Sequence, residues 1–368
     1  MINNISYYDD HYNELYAYHI ANPLNNNIQY GGKPVESYDL RNYDMGIARK
    51  KIGDNKFDYY YIKTNKPISK SDTDRISALK LPPAWADVWI SADKDTNIQA
   101  IGTDMKGRKQ YKYHQTHIDD AEREKFLRLS EFITALPKLD DAIKEHRRLS
   151  AYHKLRVIVS MLQIVSEVHM RVGKEQYARE NKSYGLSSLK KKHAKISGDT
   201  IRFNFKGKSN QRLSYTIVNP ELSNHLQLLM SLEGDKLFQY LDNNTERIAK
   251  VTDSDLNHYI QEYMGSEFTI KDFRTYGANH HFVKSLLNET KKRTPKDIKT
   301  INKNIKYAIH TTAYYLRHTK AISKKSYIMN FCMDMYISQP EYFIQRKYDD
   351  PNTVLLDILR QYKRNIMR

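Results

Sequence analysis

The sequence predicts an α+β protein: a small β-rich N-terminal domain, then a larger, mainly α-helical domain that contains a small β-hairpin. Three observations carry this. Short aromatic and β-branched runs crowd residues 44–114, and apolar residues at helical spacing dominate after about residue 118. One pair of alternating runs, Ile201/Phe203/Phe205 and Leu213/Tyr215/Ile217, interrupts the helical half. The domains are drawn at 1–117 and 118–368. Within the first, residues 1–40 are polar and tyrosine-rich, with an Asn25–Asn27 cluster and Gly31–Gly32, and are read as a peripheral extension.

Taken in order, Asp58–Lys63 reads as a strand, and Leu81-Pro82-Pro83 stops any helix that precedes it. Val88–Ile90 and Ile98–Ile101 are two more strands, separated by the polar turn SADKDTN. The composition shifts at Thr116–Asp120. Asp119 or Asp120 is placed to cap a helix whose Phe126, Leu129, Phe132, Ile133 and Leu136 recur at helical spacing until Pro137. Val157–Val168 is the most apolar run, but Ser160, Gln163, Ser166 and Glu167 interrupt it and it is too short to span a bilayer; it reads as a buried core helix. Thr200–Val218 forms the hairpin around the turn GKSNQ. Ile301, Ile305, Ile309, Ala313 and Leu316 mark a further helix, and Val354, Leu355, Ile358 and Tyr362 the C-terminal one. No internal repeat or heptad array is present.

Composition narrows the partners. The 368 residues leave room for two domains, and 60 Lys+Arg against 43 Asp+Glu give a formal charge of +17, which suits a polyanion. Nucleic acid fits better than a membrane surface, because no stretch pairs a large apolar face with a lysine-rich one. The single cysteine, Cys332, excludes an intramolecular disulfide and any cysteine-rich zinc site. The start MINNISYYDD has no basic segment followed by an apolar one, so no secretory signal is expected and the protein is expected inside the cell.

Five residues in the second half carry a coherent chemistry: Arg171 in HMRVGKEQY, Lys208 in FKGKSNQ, Arg274 in KDFRTYGAN, and His318 and Tyr327 in LRHTKAISKKSY. Two guanidiniums and an imidazole can bind the non-bridging oxygens of one phosphate, an ammonium can protonate a leaving oxygen, and a phenol can attack phosphorus. Each has a plain alternative. Arg171, after the buried helix and before Gly173, also reads as an ordinary surface arginine, and Lys208 as a solvated turn lysine. Arg274 stands in the first turn of a helix capped by Asp272, where the helix N-terminus favours an anion. His318 closes a helix and could serve only as its cap. Tyr327 is one of 29 tyrosines, and with a pKa near 10 about one tyrosine in a thousand is ionised at neutral pH. By residue type alone none of the five stands out.

Other chemistries lack their motifs: there is no GxxxxGK[ST], GxGxxG or HExxH. His280 and His281 are adjacent, about 100° apart on a helix, and read as structural histidines and not as a metal pair. Acidic residues do not cluster as a two-metal nuclease would need.

The segments LKLPPAWADVWIS, IQAIGTDMKGRKQYKYH, RVGKEQYARENKSYGLSSLKKKHAKISGD, FKGKS, KDFRTYGAN and HTKAISKKSY run from about Asp72 to Tyr327. Through them the sequence resembles the type IB DNA topoisomerases of the poxvirus and bacterial kind. The resemblance implies supercoil relaxation through a 3′-phosphotyrosyl intermediate, with Tyr327 as nucleophile, Arg171, Arg274 and His318 as transition-state stabilisers and Lys208 as general acid. It implies no cofactor, no ATP and no metal, and a two-domain clamp, acting as a monomer, around double-stranded DNA. Arg108, Gln110, Tyr111 and Tyr113, with Lys174 and Tyr177, match DNA-contacting positions. Poxvirus members carry a second basic residue where this chain has Gln176, which puts a strict pentanucleotide preference in doubt. Residues 1–40 lie outside the match.

Two rivals share parts of this pattern. A tyrosine recombinase would use the same five roles, but its second arginine motif reads HxxR, and Lys271 occupies the position of that histidine. A non-catalytic DNA-packaging clamp would not need all five side chains. The expected location is wherever the DNA resides, the cytoplasm or, for a viral protein, the virion.

Overall fold

A computed structural model of the chain describes residues 45–242 and 244–367; the expected peripheral extension, residues 1–40, lies outside them. The chain divides into two compact units, one ending at Glu124 and the other beginning at Lys125.

The N-terminal unit is built on five antiparallel strands: β1 (Ile47–Gly53), β2 (Lys56–Tyr61), β3 (Ala86–Ile90), β4 (Ile98–Thr103) and β5 (Lys109–Tyr113), in the order β2-β1-β3-β4-β5. Asn55, in the left-handed region at φ 55°, makes the tight β1–β2 turn. Helix α1 (Lys70–Ala78) is capped by Ser69, whose hydroxyl accepts from the Asp72 amide, and it ends before Pro82-Pro83 as expected. Ile47, Ile76, Trp85, Val88, Ile90 and Ala100 form the small core between helix and sheet. Strands β1 and β5 had no strong alternation in the sequence; each is recruited by pairing with a more apolar neighbour.

Helix α2 (Gln115–His146) departs from expectation at both ends. It starts before Asp119 and Asp120 because His114 takes the capping role: its Nδ1 accepts from the Thr116 amide and its carbonyl from the Ile118 amide. It also runs through Pro137. Leu139, Ala142 and His146 continue the buried stripe beyond the proline, and Phe132 packs edge-on against Phe268 and Phe273. Burial of that stripe outweighs the ~3 kcal/mol or more that an interior proline costs a helix.

Helix α3 (Lys154–Val168) is the expected central helix, buried from Arg156 to Val165 except at Gln163. After α4 (Glu175–Asn181) comes the expected hairpin, β7 (Thr200–Lys206) with β8 (Arg212–Val218), in full register from Thr200↔Val218 to Lys206↔Arg212. The hairpin is widened by β6 (Ala194–Ser197). A second, two-stranded sheet pairs β9 (Gln239–Leu241) with β10 (Ile248–Lys250). Neither addition was legible, since both rest on strands of three or four residues. Helices α5 (Pro220–Ser231), α6 (Asp253–Met264), α7 (Asp272–Lys292), α8 (Ile298–Leu316), α9 (Asn330–Ser338), α10 (Pro340–Gln345) and α11 (Pro351–Ile366) complete the unit. Among the described residues no helix is long and apolar enough to cross a membrane.

Phe132 is fully buried between α2 and the aromatic group around α7. Phe132→Ala should therefore cost ~3–5 kcal/mol of stability, read as a lowered urea midpoint at unchanged m-value. A loss under ~1 kcal/mol would mean that the stripe is not what carries α2 past Pro137.

Candidate active site

The site is assembled where three helices end or begin. Helix α3 leaves through His169, in the left-handed region at φ 49°, and two residues later the chain presents Arg171. The Arg171 carbonyl accepts from the Leu186 amide and the Val172 carbonyl from the Ser187 amide. Gly173 and Gly185 make this possible: a Cβ on Gly173 would come within 2.7 Å of Gly185 backbone, and one on Gly185 within 2.5 Å of Gly173 N. Helix α8 leaves by two backbone hydrogen bonds, His318 N–H to Ala313 O and Arg317 N–H to Tyr314 O, with Arg317 left-handed at φ 54°. His318 is thus set by a helix end, as the sequence suggested.

Arg274 stands in the first turn of α7, but Asp272 is not its cap. Asp272 is the first helical residue, and its Oδ2 accepts from the amide and hydroxyl of Thr269, closing the preceding turn. Its Oδ1 accepts from Arg128 of α2 at 3.1 Å. Phe273, Phe282, Val283 and Leu286 are buried as expected.

Four of the five expected residues meet. NH2 of Arg171 lies 2.9 Å and NH2 of Arg274 2.6 Å from Nε2 of His318. Guanidiniums only donate, so Nε2 is the acceptor and the imidazole carries its proton on Nδ1. Arg274, 5 % exposed, also donates to the carbonyls of His169 and, at 2.9 Å, Leu316. Burial, and next the charge of Arg171, push its guanidinium below the ordinary arginine value. Among the described residues neither guanidinium pairs with a carboxylate. Two cations held at one point without a counter-charge form a ready anion site.

The Tyr327 ring, 4 % exposed, lies 4.4 Å from the His318 ring centroid and 5.9 Å from the Arg274 guanidinium carbon. It closes a π-helical turn, Ser323–Tyr327, in which the Ile328 amide reaches back to the Ser323 carbonyl. Lys208 sits at the β7–β8 tip, where Ser209 and Asn210 both take positive φ.

Of the expected contact residues in the N-terminal unit, Tyr111 and Tyr113 stack on one face of β5 with centroids 6.1 Å apart. Gln110, on the opposite face, is 6 % exposed and donates to Asp104 Oδ2, as does Arg108. In the second unit Lys174 precedes α4, and Tyr177 is exposed on it. Gln176 binds Glu180 one turn on. No group of three or more potential metal ligands occurs among the described residues.

Sequence reading missed two supports of the tyrosine. Asn279 is buried in α7 and donates to the Tyr327 carbonyl while accepting from the Met329 amide, both at 2.9 Å. Its signal was a polar residue on the apolar face with Phe282 and Leu286. Lys125 of α2 donates to the Ser326 carbonyl at 3.2 Å, a link across the sequence that leaves no local trace. Asn279→Ala should strand that carbonyl and that amide, costing ~2–4 kcal/mol. Hydrogen exchange of the Met329 amide should accelerate strongly, and unchanged protection there would remove Asn279 from this role.

Comparison with known proteins identifies the family. A family model described as eukaryotic DNA topoisomerase I, catalytic core, matches residues 106–347, and one for the bacterial DNA topoisomerase IB N-terminal domain matches residues 56–104. The chain is 54 % identical to DNA topoisomerase 1B of Acanthamoeba polyphaga mimivirus over 90 % of its own length and 99 % of the relative's. It is 26 % identical to DNA topoisomerase 1B of vaccinia virus (strain Western Reserve), over 65 % of this chain and 73 % of that one. Among solved structures, the XerH site-specific recombinase bound to palindromic difH aligns with 14 % identity and a TM-score of 0.33, covering 66 % of this chain and 61 % of that one. The N-terminal and catalytic-core matches follow one another along a single chain, and this protein belongs to the type IB DNA topoisomerases.

Proposed function

We propose that the chain relaxes supercoiled duplex DNA with Tyr327 as nucleophile, Arg171, Arg274 and His318 as the groups that hold the scissile phosphate, and Lys208 as general acid. The observation that supports this best is the meeting of two guanidiniums at His318 Nε2 beside the Tyr327 ring. The phenolic oxygen gives up its proton to solvent and attacks phosphorus, the 5′-oxygen leaves with a proton from Lys208, and a 3′-phosphotyrosyl bond is formed. The free strand rotates, and the reverse attack reseals it. The phosphoester energy is kept in the tyrosyl bond, so ATP is not required. Fixed cations supply the charge stabilisation that a metal supplies elsewhere.

In this reading the domains, 1–117 and 118–368, close around the duplex and the protein acts as a monomer. Arg108, Tyr111, Tyr113, Lys174 and Tyr177 touch DNA, and Gln110 joins them or acts by holding Asp104 beside Arg108. The enzyme works wherever its DNA resides.

Tyr327→Phe keeps the ring and removes the attacking oxygen. It should bind DNA, relax nothing and give no denaturant-resistant protein–DNA adduct, whereas the unaltered protein should form the adduct fully in EDTA. An adduct with the Phe variant would move the nucleophile to another tyrosine. Loss of single-turnover cleavage on chelation would overturn the metal-free chemistry. A two-site substrate in the same buffer separates relaxation from recombinase-type strand exchange.

General acid catalysis is typically worth ~10²–10⁴ in rate, and arginine holds its proton too tightly to serve. Lys208→Ala should be slow on ordinary DNA and recover when the bridging 5′-oxygen is replaced by sulfur, which departs without a proton. Arg171→Ala should recover much less. Failure of sulfur to rescue Lys208→Ala would reduce the hairpin lysine to a DNA-positioning residue.

A further inference from the structure

Arg274 takes three acceptors, the carbonyls of His169 and Leu316 and Nε2 of His318. The His169 carbonyl faces it from the left-handed residue that ends α3, whose own N–H closes the helix on the Val165 carbonyl. Its side chain ties this helix end to α7. The imidazole lies across Gly277, where a Cβ would stand 2.4 Å from His169 Cε1, so it packs on bare α7 backbone one turn after Arg274. Its Nε2 is 3.0 Å from Nε2 of His281, one turn further along α7. The His281 ring in turn lies parallel to Tyr315, with centroids 4.2 Å apart and planes 7° apart. Tyr315 adjoins Leu316, whose carbonyl returns to Arg274. The contacts close into a ring joining the ends of α3 and α8 to the start of α7.

We propose that the His169–His281 pair is a positioning device for Arg274, fixing through two backbone carbonyls the guanidinium that faces the scissile phosphate. Neither imidazole touches the reacting atoms. Both are neutral: burial first, and then neighbouring histidines with Arg274 beside His169 and Lys284 beside His281, hold His169 down to about 3 and His281 to about 4. One Nε2 must therefore donate to the other. His169 Nδ1 is buried and without a partner, and an orphaned N–H is costlier than an orphaned lone pair. His169 is accordingly the donor through Nε2–H and His281 the acceptor.

This inference rests on the proposed role of Arg274, and the test separates the two. His281→Phe keeps the ring on Tyr315 and removes the acceptor. His169→Gly keeps the left-handed backbone and its carbonyl and removes the ring, so it folds without strain. Each should slow single-turnover cleavage at saturating DNA by on the order of tenfold to a hundredfold, as expected for a displaced catalytic group. DNA affinity should stay within about twofold, and 5′-sulfur substitution should not rescue the rate. In an Arg274→Lys background either change should have less than about a twofold further effect, because the group it positions is already gone. Equal slowing in both backgrounds, rescue by sulfur, or unaltered cleavage in both variants would overturn the positioning role. If Arg274→Lys alone cleaves at the normal rate, the proposed function of Arg274 fails instead.

Discussion

Two guanidiniums meet at a single imidazole nitrogen with no carboxylate partner among the described residues, and the catalytic unit is organised around sustaining that contact. At an effective dielectric near 20, two unit charges ~5 Å apart repel by roughly 3 kcal/mol. The fold resists this with backbone. Arg274 is anchored by carbonyls at the ends of α3 and α8, and Arg171 rides on a segment locked to Gly185 and Leu186. Neutral acceptors hold the cations in place without cancelling their charge, which leaves the field available to an incoming phosphate.

The segment bearing the tyrosine follows the same economy of means. A π-type turn shifts Tyr327 relative to an ordinary helix and brings its ring onto His318. Asn279, one turn beyond Thr275 on α7, grips the backbone on both sides of that turn's end. Helix α7 therefore positions the proposed phosphate-binding arginine and the proposed nucleophile together, and through Gly277 and His281 it packs against the imidazole of His169, whose carbonyl faces Arg274. A rigid helix serving all of these keeps their spacing independent of loop motion.

How much of this was legible depended on the range of the interaction. The strands at Asp58–Lys63, Val88–Ile90 and Ile98–Ile101, the buried helix at Val157–Val168 and the hairpin at Thr200–Val218 follow from local periodicity and are present. The stop at Pro137, the caps at Asp119, Asp120 and Asp272, and the two-strand limit of the hairpin sheet were local rules that packing overrode. At Pro137 partners distant in sequence, Phe268 and Phe273 for Phe132, supplied more than the local preference withheld, whereas at the caps a nearer neighbour, His114 or Thr269, took up the hydrogen bonds.

The sequence by itself determined which side chains were available: the motifs around Arg171, Lys208, Arg274, His318 and Tyr327 carry the family resemblance, because chemistry of this kind needs particular groups in particular flanks. It also determined the excess of positive charge and the helical or extended character of most segments, which depend on neighbours three or four residues away. Only the tertiary structure decided that four of those residues share one point, that His318 accepts from both arginines, and that Asn279, Lys125 and the His169–His281 pair stand behind them. Those relations join residues as far as 201 positions apart, and their geometry is set by where helices end against one another, information that no local window of sequence contains.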